Sequence, residues 1–169
     1  VLQSRGLGDV YKRQLRERAE QRQEPAPRIQ GLDLSPDMLA VARVRDRERL
    51  VDGWLHAAAE NTGLEAASFD LISLQFVCHE LPQHATQAVL FEAARLLRPG
   101  GAFVMVDQDP ASSVLQRLPA AVATLLKSTE PYIEDYFSLD MPAALRQAGF
   151  RNLQISACDP RHRVIACLR

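Results

Sequence analysis

The residues equipped for acid–base chemistry sit where apolar runs end. His79 and Glu80 follow the run at 69–77, whose late residue Gln75 is polar, and Asp107, Gln108 and Asp109 follow the run at 102–106. An imidazole titrates near neutral pH, so His79 is the natural general base wherever a nucleophile carries a proton. A structural histidine at a helix start is the competing reading, and Glu80 then reads as an exposed acid of the same start. The acids at 107 and 109 read either as the lining of a pocket, with Tyr132 and Tyr136 beside them, or as solvated loop. Asp33 closes a shorter strand-like run at 29–34. A carboxylate at the carboxyl end of a strand in an open α/β sheet is placed to receive ligand hydroxyls, and the competing duty of capping the next helix falls better to Ser35. Cys78, Cys158 and Cys167 are odd in number and lack CxxC spacing. Neither a disulfide framework nor a metal site is expected, and buried free thiols in a reducing, cytoplasmic setting are.

Elements that alternate in type must position these groups. Residues 15–23 are charged and helix-prone up to Pro25 and Pro27. Ser35-Pro36-Asp37 has the form of a helix start, with a capping hydroxyl, proline at the first position and an acid in the first turn. The helix that follows reaches toward Arg49. Residues 54–58 form a weak strand and 60–68 a loop. The run at 69–77 is the most strand-like and suits burial on both faces. Residues 84–97 form a helix, with Ala88, Val89, Phe91, Ala94, Leu96 and Leu97 toward its buried side, until Arg98-Pro99-Gly100-Gly101 turns the chain into a strand at 102–106. Residues 112–127 are helical but divided by Pro119, and 128–137 read as an irregular acidic and aromatic loop. A helix at 139–148 closes at Gly149. Two strands, 150–157 and 162–168, flank Asp159-Pro160-Arg161 with antiparallel spacing, which puts Arg161, His162 and Arg163 at the surface.

Composition sets the limits. With 47% hydrophobic and 24% charged residues the chain is an ordinary globular one. A formal net charge of −1 supplies no electrostatic footprint for nucleic acid or an anionic membrane. No apolar run approaches the roughly 20 residues that span a bilayer. Strands alternating with helices predict an α/β fold with a mostly parallel sheet, and the closing hairpin adds an antiparallel strand.

Four landmarks stand in order along the chain. Gly31-Leu32-Asp33-Leu34-Ser35-Pro36-Asp37-Met38-Leu39 resembles the end of the second strand in class I S-adenosylmethionine-dependent methyltransferases. Ala59-Glu60-Asn61 followed by Ala67-Ser68-Phe69-Asp70-Leu71 looks like its third-strand loop and entry to the fourth strand. Leu96-Leu97-Arg98-Pro99-Gly100-Gly101 resembles its turn into the fifth strand, and Ala148-Gly149-Phe150 the turn before its closing strands. Lys127-Ser128-Thr129-Glu130-Pro131 and Asp159-Pro160-Arg161-His162 further resemble a plant and cyanobacterial branch, for which a plastid location is the alternative to the cytoplasm. The resemblance implies a Rossmann-like sheet with helices on both faces, S-adenosylmethionine as cofactor and a small-molecule methyl acceptor, with neither nucleic acid nor membrane as partner. It implies that Asp33 holds the ribose, that Met38 lies by the adenine, with plain core as the equal alternative for a Met on a first helical turn, and that Ala59 and Glu60 meet the adenine edge. Gln75 and His79 then face the transferred methyl. The chain departs from the pattern at Ala58, where the family commonly has an acid, so that contact is either lost or supplied by Glu60. A Rossmann oxidoreductase using NAD(P) and a non-catalytic α/β binding module remain the alternatives.

The first residues read differently. Asp9-Val10-Tyr11-Lys12-Arg13-Gln14 back-translates to GAT GTG TAT AAG AGA CAG, which resembles a transposon adapter used for sequencing libraries. Residues 1–14 are therefore expected to be an adapter-derived segment and 15–169 a partial methyltransferase domain, whose first strand and glycine-rich turn would precede Leu15. Gly6-Leu7-Gly8 is not expected to be a nucleotide loop, because no strand precedes it and no convincing helix follows. Sequencing the intact locus checks this. A strand and a glycine-rich acidic turn are expected in frame before Leu15, and finding the first fourteen residues contiguous in unamplified genomic DNA overturns the reading.

Overall fold

The computed structural model describes residues 7–169, with side chains from Lys12 onward. Gly6 and the residues before it lie outside the described residues. The chain divides into two compact units, Val1–Ala59 and Glu60–Arg169, each with its own sheet.

In the first unit, α1 (Leu7–Gln21) starts well before the helix expected from residue 15, so the adapter-like residues from Leu7 onward are helical. The Lys12 ammonium lies 5.3 Å from the centre of the Trp54 ring, and Arg16 donates to the Leu50 carbonyl at 2.9 Å. β1 (Gln30–Asp33) and β2 (Gly53–His56) pair in parallel, with Gly31 opposite Trp54. That register explains a glycine inside a strand. A Cβ on Gly31 would stand 2.4 Å from the Trp54 ring, so only glycine lets the indole lie flat there. α2 (Pro36–Arg45) begins as its sequence predicts, with the Ser35 hydroxyl accepting from the Met38 N–H. It ends before Arg49 because Asp46 turns the chain, its carboxylate accepting the N–H groups of Leu50 and Val51 at 2.9 and 3.1 Å.

The second unit is a four-stranded sheet in the order β3-β4-β6-β5. β3 (Phe69–Gln75) runs parallel to β4 (Leu97–Gln108), and β6 (His162–Leu168) is antiparallel to both β4 and β5 (Arg151–Ala157). The parallel pairs and the antiparallel closing hairpin are those of the Rossmann-like α/β class. β3 is not buried on both faces, however. It is an edge strand of this sheet, and Leu71 stays 41% exposed.

Alternation along β4 sets the core. Phe103, Met105 and Asp107 are buried on one face, while Val104, Val106 and Gln108 are half-buried on the other. Phe103 stacks on Phe150 with ring centres 5.0 Å apart. Leu90 of α3 (Gln83–Leu96), Leu145 of α7 (Met141–Gln147) and Ile165 complete the apolar layer. Phe91 does not join them. It is 53% exposed, since the helical period buries Thr86, Leu90 and Ala93 instead, and Leu97, expected in this helix, already belongs to β4. Arg98–Gly101 lies within β4 rather than before it, as an irregularity in its pairing with β3 between Leu97 and Ala102, and Gly101 is fixed by its approach to the Arg98 carbonyl, 2.9 Å from where a Cβ would stand.

Pro119 divides the next stretch into α4 (Ser113–Gln116) and α5 (Ala120–Thr129). The expected loop at 128–137 is corrected, because α6 (Ile133–Ser138) forms there. Ile133 and Tyr136, three residues apart, are both buried, and that packing stabilises a helix whose own sequence is a poor helix former. Cys78 and Cys167 are buried free thiols, but Cys158 is exposed. No helix among the described residues is long and apolar enough to cross a membrane.

The two neighbours on α3 separate core from surface. Leu90→Ala is expected to destabilise the second unit by about 2–5 kcal/mol, and Phe91→Ala to change it by less than about 0.5 kcal/mol. Urea unfolding followed by far-UV circular dichroism checks both.

Candidate functional site

The second unit gathers its polar groups where β3 and β4 end. β3 closes at Gln75, and Phe76 takes a left-handed φ of 57° while its N–H still donates to Val106 at 2.8 Å. A non-glycine residue held there is strained by roughly 1–3 kcal/mol, and the bend throws residues 78–80 into a 3-10 turn beside β4. Asp107 anchors that turn. It is 1% exposed, so it is not solvated loop. One carboxylate oxygen accepts the Cys78 N–H at 2.9 Å. The other meets His79 Nδ1 at 2.6 Å and the Gln108 N–H at 2.8 Å.

His79 is buried, and its Nδ1 is committed to Asp107, which leaves Nε2 as the working atom. Nε2 lies 3.9 Å from a carboxylate oxygen of Glu130, the residue just after α5. Burial lowers the His79 pKa, but the hydrogen bond and charge of Asp107, with the charges of Glu130 and Glu80, outweigh it and hold the ring above its ordinary value. Burial, then the Asp107 charge, raises the Cys78 thiol far out of the physiological range, so it is no thiolate nucleophile. The same two causes raise Tyr136, whose hydroxyl donates to the Gln108 carbonyl at 2.9 Å. Gln108 Oε1 and Arg163 Nε are buried without a hydrogen-bond partner. Arg163 is thus not simply surface, and His162 is half-buried with its ring edge-on to Phe76 at 5.1 Å. Arg161 is exposed as expected.

The other expected residues are placed as follows. Gln75 is buried, with its amide 3.4 Å from the Ser73 hydroxyl. Glu60 is exposed, in the loop that opens the second unit. Two residues on, Thr62 donates its N–H and hydroxyl to Glu92 at 3.0 and 2.6 Å, and Glu92 is also paired with Arg95. In the first unit, Asp33 is half-buried at the end of β1. One of its oxygens accepts the Ser35 N–H at 2.8 Å, and the other has no partner among the described residues. Met38 is 45% exposed and so is not core. Ala59 is half-buried in a turn.

His79 and Asp107 are the pair the fold brings together. The sequence named both but did not join them. The joining signal was the alternation of 102–106, which carried one residue further puts Asp107 on the buried face with Phe103 and Met105. Glu130, hidden in the expected loop, was missed.

Comparison with known proteins follows the same lines. The methyltransferase-domain family matches residues 13–105. An uncharacterized methyltransferase of Synechocystis sp. is 30% identical over 122 residues, 72% of this chain and 56% of that protein. A demethylmenaquinone methyltransferase of Geobacillus sp. is 31% identical over 152 residues, 79% of this chain and 64% of that one. Haemonchus contortus phosphoethanolamine N-methyltransferase 2, solved in complex with S-adenosyl-L-methionine, shares the fold with a TM-score of 0.66 at 15% identity, over 90% of this chain and 45% of that one. The chain spans about half the length of the curated relatives it matches.

The Glu92 tie gives a pH dependence. The Arg95 hydrogen bond chiefly, with those of Thr62, pulls the Glu92 carboxyl from 4.5 down to about 2 against the opposing effect of burial. A lowered folded-state pKa stabilises the fold above the ordinary carboxylate range, and that contribution is lost as pH falls toward the lowered value. Between about pH 5 and pH 2 the urea midpoint is expected to fall more steeply for the wild type than for Glu92→Gln. Parallel slopes would count against the tie.

Proposed function

The chain belongs to the methyltransferase-domain family, and on that premise we propose that it is the catalytic part of an S-adenosylmethionine-dependent methyltransferase with a small-molecule acceptor. The observation that carries the site is the buried Asp107–His79 pair at the carboxyl ends of parallel strands, where ligands of α/β sheets bind.

The residues present suit the cofactor. S-adenosylmethionine supplies a sulfonium methyl that passes to the acceptor by in-line displacement. Asp33 has one carboxylate oxygen fixed by the Ser35 N–H and the other left for a ribose hydroxyl. By the family resemblance Met38 and Ala59 would lie by the adenine, and the acid contact missing at Ala58 would be either lost or supplied by Glu60. On this reading Gln75 and His79 would lie toward the transferred methyl. Asp107 holds the imidazole in one tautomer, so that Nε2 is presented to the acceptor's reacting atom. The unpartnered Gln108 Oε1 and Arg163 Nε are an acceptor and a donor that a polar bound molecule would satisfy. Relatives named for demethylmenaquinone support an acceptor of small-molecule type.

In the complete parent protein, Asp33→Ala is expected to weaken S-adenosylmethionine binding by about 1–3 kcal/mol, the range for a hydrogen bond to a charged group. His79→Asn should leave that affinity unchanged, because it acts on the acceptor side. Titration calorimetry measures both, and binding of NAD(P)H in place of S-adenosylmethionine would overturn the function.

A further inference from the structure

The strongest feature that methyl transfer leaves unexplained is the crowding of carboxylates around one imidazole. The donor atoms of His79, Glu80 and Glu130 all lie within 4.8 Å of one another. With its Nδ1 held at 2.6 Å by Asp107, the buried His79 ring turns its Nε2 lone pair toward the Glu130 carboxylate 3.9 Å away. That distance is too long for a hydrogen bond. Nε2 and the carboxylate therefore face each other across a gap that a positive charge bridges, either as a proton on the ring or as a bound ion.

We propose that His79 Nε2 and the carboxylates of Glu80 and Glu130 bind a divalent transition-metal ion. Asp107 stands where a carboxylate fixes the tautomer of a metal-bound histidine, donating nothing to the ion itself but orienting the ring. Three protein ligands with one position left open is the composition of a working rather than a purely structural metal centre. One imidazole with two carboxylates suits manganese, iron or zinc better than magnesium or calcium, which take oxygen alone. Bonds of about 2.1 Å put ligand atoms roughly 3.4 Å apart in a tetrahedral site, so the donors need close by only about an ångström. The ring is fixed, so the closing falls to the two glutamate side chains. Glu80 is exposed in the 3-10 turn, and Glu130 is half-buried past the end of α5. The ligands come from two places 50 residues apart in sequence, which is why no ligand spacing was legible.

The inference deepens the proposed function in one respect. An ion here would take an oxygen of the acceptor in its open position, which favours a hydroxyl, enol or carboxylate acceptor over an amine. The binding itself does not depend on that reading. Loss of cofactor binding by the parent protein would sink the methyltransferase and leave the metal site standing, and the converse also holds.

The test is a titration of the metal-stripped 169-residue chain with MnCl2, following the electron paramagnetic resonance signal of free Mn2+. Binding of a single ion that excess Mg2+ does not displace is expected. Glu80→Gln and Glu130→Gln, which remove partly exposed carboxylates without opening the core, should each weaken it at least about tenfold. Asp107→Asn should weaken it about 10–100-fold while touching no metal, a loss of the size seen when an outer-shell partner is removed. Far-UV circular dichroism confirms that each variant is folded, and if Asp107→Asn is not, the two glutamate variants decide. Absence of Mn2+ binding by the wild type overturns the proposal. So does binding that neither glutamate variant weakens, since the ion would then sit on unrelated surface carboxylates.

Discussion

A carboxylate buried to 1% exposure persists in a protein interior only when donors surround it, because the desolvation of an unpaired charge costs several kcal/mol. Asp107 imposes that condition on the working end of the second unit. Its donors come from three positions, the N–H groups of Cys78 and Gln108 and the ring of His79. Meeting them requires the chain to leave β3 through the strained Phe76 and to coil at once into a 3-10 turn. The orientation of His79, the depth of Cys78 and the strain at Phe76 all follow from one buried charge.

That charge is held by the most regular element of the unit. β4 is flanked by β3 and β6, so its backbone is paired on both sides and its alternation cannot slip by one residue without exchanging its faces. Phe103 and Met105 bury their side chains on the same face as Asp107. The apolar layer and the polar cluster are thus one surface of one strand, apolar until the strand nears its end and ionic there. Substitutions that loosen the packing of Phe103 on Phe150 act on the cluster through this shared strand.

The family assignment and the site geometry answer different questions. The family match and the shared fold say that this is a methyltransferase domain. They do not distinguish a proton-accepting histidine from a metal-binding one, and the surroundings of His79 are suited to a cation of either kind. Asp107 serves both, since a fixed Nδ1–H is what makes Nε2 a good base and also a good ligand. Competition between proton and ion for one lone pair separates the two.

The amino-acid sequence determined what local chemistry controls. Ser35 and Pro36 start α2, Pro119 splits α4 from α5, Gly149 with its φ of 99° closes α7, and the turn at Asp159 joins β5 to β6. Each is a matter of one or two residues whose backbone preferences act within a few positions. The family resemblance was legible for the same reason, because it rests on turns at strand ends. Tertiary structure alone decided the rest. α6 exists because Ile133 and Tyr136 find a core to enter, although its own residues favour a loop. Phe91 is exposed and Leu90 buried because the sheet lies on one side of α3. Glu130 reaches His79 because α3, β4, α4 and α5 return the chain across 51 residues, a closure that no local spacing records. Side-chain periodicity says which residues can share a face, but only packing says which face meets which, and the candidate site is built at such a meeting.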